Sequence, residues 1–320
     1  MRSRTRFALA GVLMLASCLS WAQGRPIRML SGFPPGGNVD ILARVFAERL
    51  GEALGRPVVV EARVGAGGQI ALEALKAAAP DGSTLALTPD ASLIVRPLTM
   101  KSAPYDPVRD FTAVAHVGAQ DYAFGASAAL PAKDLREFAA WAKANPGSAN
   151  VGSAGQGGAT HFLGMMVGEA IGAPLQQVPY NGSGPAVTAV IAGQVASTVQ
   201  PVGTVLAQAQ AGKLRVLAIT GAERSPSLPA VPTFNELGYP SLTVSNWFGV
   251  FAPPHLPPEL TAQYNAVFIK AMRTPAVKDR LQALGFEVRE MTPTEFAALV
   301  KADYERWGPV IKASGFSIDQ

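Results

Sequence analysis

The amino-terminal part of this chain alternates between strand-like and helix-like segments, and glycine-rich turns join them. Residues 27–31 form a short apolar run, and residues 39–54 then place apolar side chains on one helical face. A second run at residues 58–60 leads into a helical pattern at residues 69–79, and residues 84–88 form a third apolar run. This strand–helix–strand–helix–strand order predicts a parallel sheet with helices on both faces.

The rest of the chain continues this alternation and predicts a second lobe. Further helices are predicted at residues 135–144, 160–171, 186–192, 205–211, 258–272, 275–284 and 293–313, and further strands at residues 150–151, 213–220 and 247–251. Two segments, near residues 120–125 and 245–248, are candidate crossings between lobes. We therefore expect an α/β fold with two hinged lobes, in which residues 23–122 and 247–320 form lobe 1 and residues 123–246 form lobe 2.

The first residues predict export. Three arginines among the first six residues precede an apolar run at residues 7–17 that is too short to span a membrane, and residues 20–22 match a cleavage site. Residues 1–22 are therefore predicted to be a signal peptide, which places the mature chain in the bacterial periplasm. The only cysteine, Cys18, lies in a "LASC" string that also resembles a lipoprotein cleavage box, so a lipid anchor is the less favoured alternative.

Composition argues against several classes of protein. Hydrophobic residues make up 48% of the 320 residues and charged residues 16%, which is enough for a large core and argues against disorder. The formal charge of +4 falls by three, to about +1, when the three arginines of the predicted signal peptide are removed. Lysine and arginine are scattered and form no basic stripe interleaved with aromatic residues, so no nucleic-acid partner is expected.

The common enzyme motifs are incomplete. A nucleophile elbow requires G-x-S-x-G, but Ser153 lies one position too early in "GSAG". The three histidines, His116, His161 and His255, are not spaced as metal ligands, and G-x-G-x-x-G and the P-loop lysine are missing. We expect a structural role for His116, a surface loop for His255, no cofactor and no metal. Ser153 with His161 is the one candidate nucleophile–base pair, so an exported α/β hydrolase-like enzyme remains an alternative.

Three glycine-rich turns are candidate ligand loops: "PPGG" at residues 34–37, "GAGG" at residues 65–68 and "GSAGQGG" at residues 152–158. Each is explained by a tight turn in which glycine supplies a positive φ. The first and third also lie between a predicted strand and a predicted helix, where open α/β sheets bind ligands and free helix amides suit an anion. Neither contains Arg or Lys, which favours a carboxylate over a heavily charged phosphate ligand.

Polar and apolar side chains flank these two loops. Asn38 is the predicted N-cap of the first helix, and Asp40 lies in the first turn of that helix. Ser153 and Thr160 supply hydroxyl donors beside the third turn, and Phe33 is a candidate apolar wall. These side chains extend the predicted site beyond the glycines.

Longer blocks of sequence resemble a known family. They are "IRMLSGFPPGGNVDILAR", "GRPVVVEARVGAGGQIALEALKAAAPDGSTLAL", "YDPVRDFTAVA", "NVGSAGQGGATHFLGMM", "VPYNGSGPAVTAVIAGQV", "AGKLRVLAIT", "SPSLPAVPTFNELGYP" and "WFGVFAPP". In this order they cover nearly all of the predicted mature chain and resemble the Bug, or TctC-type, periplasmic solute receptors of tripartite tricarboxylate transporters. The resemblance implies a two-lobed type II periplasmic-binding-protein fold that closes on a small carboxylate.

The resemblance also implies ligand-binding residues in a cleft between the lobes. The two glycine-rich loops are expected to face each other and to hold a carboxylate through backbone groups and water. The candidate ligand-binding set combines positions that match the family with positions found from the residues alone. It consists of Phe33, Gly36, Gly37, Asn38, Asp90, Ser153, Ala154, Gly157, Thr160, His161, Tyr180 and Gln200. His161 is expected to orient its loop more than to touch the ligand.

The sequence departs from the family pattern at several positions. The family usually has Lys where Asn181 stands, and acids where Ala196 and Gln200 stand. Asp90 stands where relatives tend to carry a small hydroxyl residue. If Asp90 faces the cleft, it would repel a second carboxylate and attract an ammonium group, which gives the hypothesis of a monocarboxylate ligand, with or without an amine. A solvated loop position is the alternative for Asp90.

Together these features predict an extracytoplasmic solute-binding protein without enzymatic activity. It is expected to be a monomer that captures a mono-, di- or tricarboxylate or an amino acid, and to deliver this ligand to the integral membrane permease of a tripartite tricarboxylate-type transporter. A ligand sensor that partners a membrane kinase is a further alternative, and the sequence does not distinguish sensing from transport.

Overall fold

The computed structural model describes residues 25–318. The predicted signal peptide, with Cys18, lies outside the described residues. Between residues 25 and 318, no helix combines the length and the apolar character needed to cross a membrane. In chain order the elements are β1 (Ile27–Ser31), α1 (Asn38–Leu54), β2 (Val58–Ala62), α2 (Gln69–Lys76), β3 (Thr84–Pro89), β4 (Thr112–Ser127), α3 (Leu135–Ala144), β5 (Asn150–Ser153), α4 (Ala159–Ala170), β6 (Gln176–Pro179), α5 (Ser183–Ile191), β7 (Ser197–Pro201), α6 (Val202–Gln210), β8 (Leu214–Ile219), β9 (Ser245–Ala252), α7 (Pro258–Met272), α8 (Pro275–Ala283) and α9 (Pro293–Ser314).

The first three strands form a parallel sheet, as predicted. β1 lies in the middle and pairs with β2 on one side and with β3 on the other. Helices α1 and α2 are the two predicted crossover connections. The C-cap of α1 is Gly55, which has a left-handed φ of 58° that glycine adopts without steric cost. The carboxyl ends of β1, β2 and β3 therefore meet at one edge of the sheet.

The long strand β4 joins the two parts of the sheet, which has nine strands within residues 25–318. From Thr112 to Asp121 it pairs antiparallel with β9, and from Tyr122 onward it pairs with β7 and β8. The resulting strand order is β2-β1-β3-β9-β4-β7-β5-β6, with β8 also on β4. We use lobe 1 for β1, β2, β3, β9 and the first part of β4, and lobe 2 for the second part of β4 with β5 to β8.

In the described part of the chain, three hydrophobic cores lie between the sheet and its helices. Helices α1 and α7 cover one face of lobe 1, where the rings of Phe46 and Phe268 lie 5.6 Å apart. Helices α5 and α6 cover one face of lobe 2. The third core is shared, because Trp307 of α9 packs with Phe162 of α4 at 6.5 Å while α9 also packs on the strands of lobe 1. The last helix therefore bridges the two lobes.

Most predicted elements are confirmed, with ends shifted by one to a few residues, and some were missed. The predictions for α3 and α7 match the observed bounds. The helix predicted at residues 69–79 ends at Lys76, and the one predicted at residues 205–211 begins at Val202, since tertiary contacts decide helix ends. β4, β6 and β7 were not predicted. β4 is buried along almost its whole length, so it lacks the alternation that marks a half-exposed strand.

Candidate functional site

The first glycine-rich loop is shaped by a carboxylate from its own helix. The N–H of Gly36 donates to Oδ2 of Asp40 at 3.0 Å, and the guanidinium of Arg44 donates to both carboxylate oxygens at 2.8 and 3.0 Å. The hydrogen bond from Arg44 is the main reason that the pKa of Asp40 lies below its usual value. The amide of Gly36 is therefore used inside the protein, although the sequence predicted that it would be free for a ligand.

The start of α1 also differs from the prediction. Gly37, not Asn38, is the N-cap, with extended backbone angles (φ −77°, ψ 166°), and Asn38 is the first helical residue. The reason is that Asp40 already ties down the loop at Gly36, so the chain enters the helix one residue earlier. The amides in the first turn of a helix have no intrahelical acceptor, and Gly37 has no side chain that could cap those of α1. This helix start borders open space, because a Cβ built at Gly36 would have no atom within 4 Å.

The second glycine-rich turn, residues 65–68, packs against the loop that follows β1. A Cβ at Gly32 would overlap the Cα of Gly68, so the two backbones approach as closely as only glycine permits. The partly buried ring of Phe33 lies over Gly68, and Oγ of Ser92 donates to the carbonyl oxygen of Gly67 at 2.7 Å. "GAGG" is thus a packing surface for the loop that follows β1.

Asp90 is not a solvated loop residue. It directly follows β3, is 2% exposed, and its Oδ1 has no hydrogen-bond partner in the described chain. Burial, followed by the nearby Asp303 carboxylate, raises the pKa of Asp90 well above its usual value. Asp303 itself accepts a hydrogen bond from Nε1 of Trp247 at 2.7 Å. Asp90 therefore belongs to a buried polar cluster at the carboxyl end of β3.

The third glycine-rich turn, after β5, is held by short-range polar contacts. Oγ of Ser153 donates to the carbonyl of Gly155 at 3.3 Å, and the amide of Ala154 donates to Oγ1 of Thr160 at 2.9 Å. Gly158 is the N-cap of α4, again without a side-chain cap. In the described chain, the amides of Gln156 and Gly157 donate to no protein acceptor. This loop therefore presents free N–H groups beside a helix start, the arrangement that suits an anion.

An aromatic side chain from the end of α9 supports this loop, which the sequence did not predict. A Cβ at Gly157 would overlap Cε1 and Cζ of Phe316. The same ring lies 6.0 Å from the ring of His161 and 5.9 Å from that of Phe162. The segment that follows α9 contacts lobe 1, because the amide of Ile318 donates to the carbonyl of Thr99 at 2.9 Å. Phe316 thus connects this segment to the loop of lobe 2.

Two further predicted residues lie next to this loop. The ring of Tyr180 packs over Gly152, and the amide of Tyr180 donates to the carbonyl of Ser153 at 3.0 Å. Gln200, near the end of β7, is fully buried, and its Nε2 donates to Oγ1 of Thr198 at 2.9 Å. Both neighbours of Nε2, this hydroxyl and the Gly152 carbonyl, act as acceptors, so the amide orientation is defined. The carbonyl oxygen of Gln200 is left without a donor in the described chain.

The arrangement lacks the contacts of a nucleophile–base pair. Ser153 donates to Gly155 rather than to His161, and Nδ1 of His161 has no partner in the described residues. Burial lowers the pKa of His161. His116 has the expected structural role, with Nδ1 bonded to the carbonyl of Arg289 at 3.0 Å, and His255 is exposed as expected. Among the described residues, no group of three or more His, Cys, Asp or Glu side chains is placed to hold a metal ion.

Comparison with known proteins gives one consistent family. Residues 42–316 match the family model described as "Tripartite tricarboxylate transporter family receptor" (TctC). Protein BugT of Bordetella pertussis is 36% identical over 309 residues, which cover 96% of this chain and 94% of that protein. MatC of Rhodopseudomonas palustris, solved with bound malate, is 31% identical with a TM-score of 0.70, covering 89% of this chain and 98% of MatC. A second R. palustris protein, solved with adipate, is 28% identical with a TM-score of 0.73, covering 93% and 99%.

These matches agree with the geometry. The mixed sheet flanked by helices is consistent with an α/β periplasmic-binding-protein fold, and the matches cover 98% and 99% of the two solved relatives. The predicted fold class is therefore confirmed. This chain belongs to the tripartite tricarboxylate transporter receptor (TctC, or Bug) family of periplasmic solute-binding proteins.

Proposed function

We propose that this chain captures a small carboxylate between its two lobes and delivers it to an integral membrane permease. One observation carries the proposal: each lobe has a glycine-rich loop at the carboxyl end of a strand, followed by a helix whose N-cap is a glycine without a capping side chain. Such helix starts attract anions. The relatives solved with malate and with adipate support the same class of ligand here.

The proposed ligand-binding residues take different parts. The carboxylate is held by the first amides of α1, from Asn38 onward, and by the amides of Gln156 and Gly157. Oγ1 of Thr160 can also donate its proton, since its lone pair already accepts from Ala154. Phe33 and Tyr180 are proposed as apolar walls. The remaining predicted positions, Gly36, Gly37, Ser153, Ala154 and His161, are proposed to hold the shape of the two loops.

Asp90 and Gln200 are proposed to contact the part of the ligand beyond its carboxylate. Each carries an oxygen without a partner at the carboxyl end of a strand, Asp90 in lobe 1 and Gln200 in lobe 2. Because burial favours the neutral form of Asp90, its repulsion of a second carboxylate is weaker than that of an exposed aspartate. The proposal therefore admits monocarboxylates and dicarboxylates, and it favours ligands with a hydroxyl or ammonium donor.

The lobe boundaries, location and assembly remain proposals as well. Residues 23–122 with 247–320 form lobe 1 and residues 123–246 form lobe 2, which rotate about the strands β4 and β9. The mature chain is exported to the periplasm after removal of residues 1–22, and it acts there as a monomer. Closure requires contacts from both lobes to the ligand, because only a difference in affinity between the open and closed forms shifts their populations.

The test is a thermal-shift screen of the mature chain against monocarboxylates, dicarboxylates, tricarboxylates and amino acids. A ligand at about 100 times its Kd adds about 2.7 kcal/mol to the free energy of unfolding. Silence of the whole panel contradicts the carboxylate proposal, and turnover of any compound favours the hydrolase alternative.

Thr160 offers a matched pair of variants for any carboxylate without an amine that binds. Thr160→Val leaves the Ala154 amide without its acceptor, so affinity should fall about tenfold. Thr160→Ser keeps the hydroxyl and should bind like the wild type. Thr188→Val, which removes an exposed hydroxyl bonded within α5, controls for the substitution itself. Equal affinity of all three variants would show that the loop after β5 does not hold the ligand.

A further inference from the structure

A cavity of about 450 Å³ lies beside the connecting strand β4, and both lobes contribute to its wall. Lobe 2 supplies the start of α6 and the turn at Ser225, and lobe 1 supplies the end of α8 and residues 285–288. None of the residues proposed to bind the carboxylate lines this cavity. Its volume lies within the range of small-molecule sites. It is therefore a separate candidate site.

Asp121 of β4 lies in the wall of this cavity. Its side chain is 5% exposed, and its Oδ2 has no hydrogen-bond partner in the described chain. A Cβ at Gly221 would overlap the carboxylate, so glycine at that position leaves the room that Asp121 occupies. Buried carboxylates are normally paired or hydrogen-bonded, because an unpaired one loses its hydration without compensation. Asp121 is thus a buried acceptor whose partner is missing within the described part of the protein.

A second carboxylate reaches the same cavity. Glu287 forms a two-way backbone bridge with Ala119 of β4, at 2.9 and 2.8 Å, which fixes its position beside the strand. Burial, followed by the charge of Glu287, raises the pKa of Asp121 to about 6, against an opposing effect of Arg289. Nη2 of Arg289 lies 4.0 Å from Oε2 of Glu287, at the upper distance limit for an ion pair. This side of the cavity therefore attracts a positive charge.

The cavity also has an electropositive side. Val202 and Gly203 line it as the first residues of α6, which begins after Pro201 without a side-chain cap. The first amides of a helix have no intrahelical acceptor, and Pro201 provides no side-chain cap for those of α6. Lys278 of α8 lines the cavity too and forms no ion pair within the described residues. A carboxylate near Lys278 and the start of α6 would gain from both the helix dipole and the ammonium group.

We propose that this cavity is a second binding site, for a small zwitterion. Its ammonium group pairs with Asp121 and Glu287, and its carboxylate lies between Lys278 and the first amides of α6. Leu206 and Phe286 provide the apolar part of the wall. A molecule with both charges satisfies the unpartnered acid and the lysine at once, which an amine or a carboxylate alone does not.

Occupancy of this site is coupled to the arrangement of the lobes. Gly203 of lobe 2 and Gly285 of lobe 1 are neighbours: a Cβ at Gly203 would lie in ordinary van der Waals contact with the Cα of Gly285, at 3.7 Å. A rotation about β4 changes the distance between these two walls. A ligand that fits one arrangement better therefore changes the affinity of the carboxylate cleft, and a ligand in the cleft changes the affinity of this site by the same factor.

The experiment is isothermal titration of the mature chain with glycine, β-alanine and γ-aminobutyrate. These probes separate an ammonium group and a carboxylate by increasing distances. At least one should bind, and Asp121→Asn and Lys278→Gln should each weaken its binding about tenfold, since each removes the charge of the side chain that pairs with the probe. Arg280→Gln changes a charge on the same helix outside the cavity and should leave the affinity unchanged.

Several results would overturn the proposal. It is wrong if none of the three probes binds at millimolar concentrations, or if binding is the same in Asp121→Asn, Lys278→Gln and the wild type. Affinity that falls in Thr160→Val but not in Lys278→Gln places the probe in the carboxylate cleft and also contradicts it. If Asp121→Asn does not fold, Lys278→Gln decides, because the Lys278 side chain is exposed.

Discussion

The contact between Gly157 and Phe316 predicts a specific effect of Gly157→Ala. Gly157 has a φ of +72°, and a Cβ there would overlap Cε1 and Cζ of the Phe316 ring and lie 3.2 Å from Cδ1. The variant therefore has two separate costs. Alanine destabilises a left-handed backbone by about 1 kcal/mol relative to glycine. The partly buried ring must also leave its place beside His161 and Phe162, which costs roughly another 1–2 kcal/mol of apolar burial.

Gly193 provides a control for the first cost. Its φ is +71°, almost the same as that of Gly157, and a Cβ there would have no atom within 4 Å. Gly193→Ala should therefore lower the free energy of unfolding by about 1 kcal/mol. Gly157→Ala should lower it by about 2–3 kcal/mol, and the difference between the two variants measures the conflict with the ring.

The assay is equilibrium urea denaturation of both variants, of Phe316→Ala and of the double variant Gly157→Ala/Phe316→Ala. When the ring is removed first, the further loss caused by Gly157→Ala should shrink to the loss seen in Gly193→Ala. If Gly157→Ala costs as much in the Phe316→Ala background as in the wild type, the ring is not the cause and the reasoning is refuted. The slope of unfolding free energy against urea should be the same in all variants, so that midpoints compare directly.

Three other predictions test parts of the same structure. Burial lowers the pKa of His116 to about 4. The free energy of unfolding of the wild type should therefore fall by up to roughly 3 kcal/mol as the pH falls from 6.5 to 4, because the buried neutral ring must take up a proton. In urea denaturation at several pH values, His116→Asn should lose less over the same range. The pKa of Asp121 is raised to about 6, so its effect on stability has the opposite dependence on pH. The free energy of unfolding of the wild type should fall as the pH rises from about 4 to 6, and that of Asp121→Asn should change less over this range. Gly249→Ala would place a Cβ into the ring of Phe296 and should cost roughly 2–3 kcal/mol by thermal or urea melting, whereas Gly184→Ala, with open space around it, should cost far less; equal losses would contradict the packing argument.

The parts of the fold that the sequence predicted are those with local signals. α1 and α7 have apolar residues at helical spacing, and β1 and β3 are short apolar runs between turns. β4 has no such signal, because it is buried on both sides and contains two register shifts where it pairs with β9. The connection between the lobes depends on this strand. Its register therefore could not be read from local periodicity.

The candidate site shows the same division between local and distant contacts. The helix starts after β1 and β5 were predictable to within one or two residues, because a glycine-rich turn before a helical pattern is a local feature, but Asn38 was wrongly predicted to cap α1. The partner of the Gly36 amide was not predicted, since Asp40 was interpreted as a helix-dipole residue and not as an acceptor for the loop. Phe316 was missed for a different reason: it lies far from Gly157 in the sequence and meets it only in the fold.

These internal contacts bear on how receptors of this kind acquire specificity. The loop after β1 is fixed by Asp40, and the loop after β5 is fixed by Thr160 and Phe316. Loops shaped without a ligand lose little conformational freedom on binding, so they provide affinity for a carboxylate of almost any compound. Discrimination must then come from groups that still lack a partner. The proposed groups are the oxygens of Asp90 and Gln200 that have no partner in the described residues. In that proposal, a ligand that leaves them unpaired forgoes a buried hydrogen bond, which disfavours it against one that carries a donor.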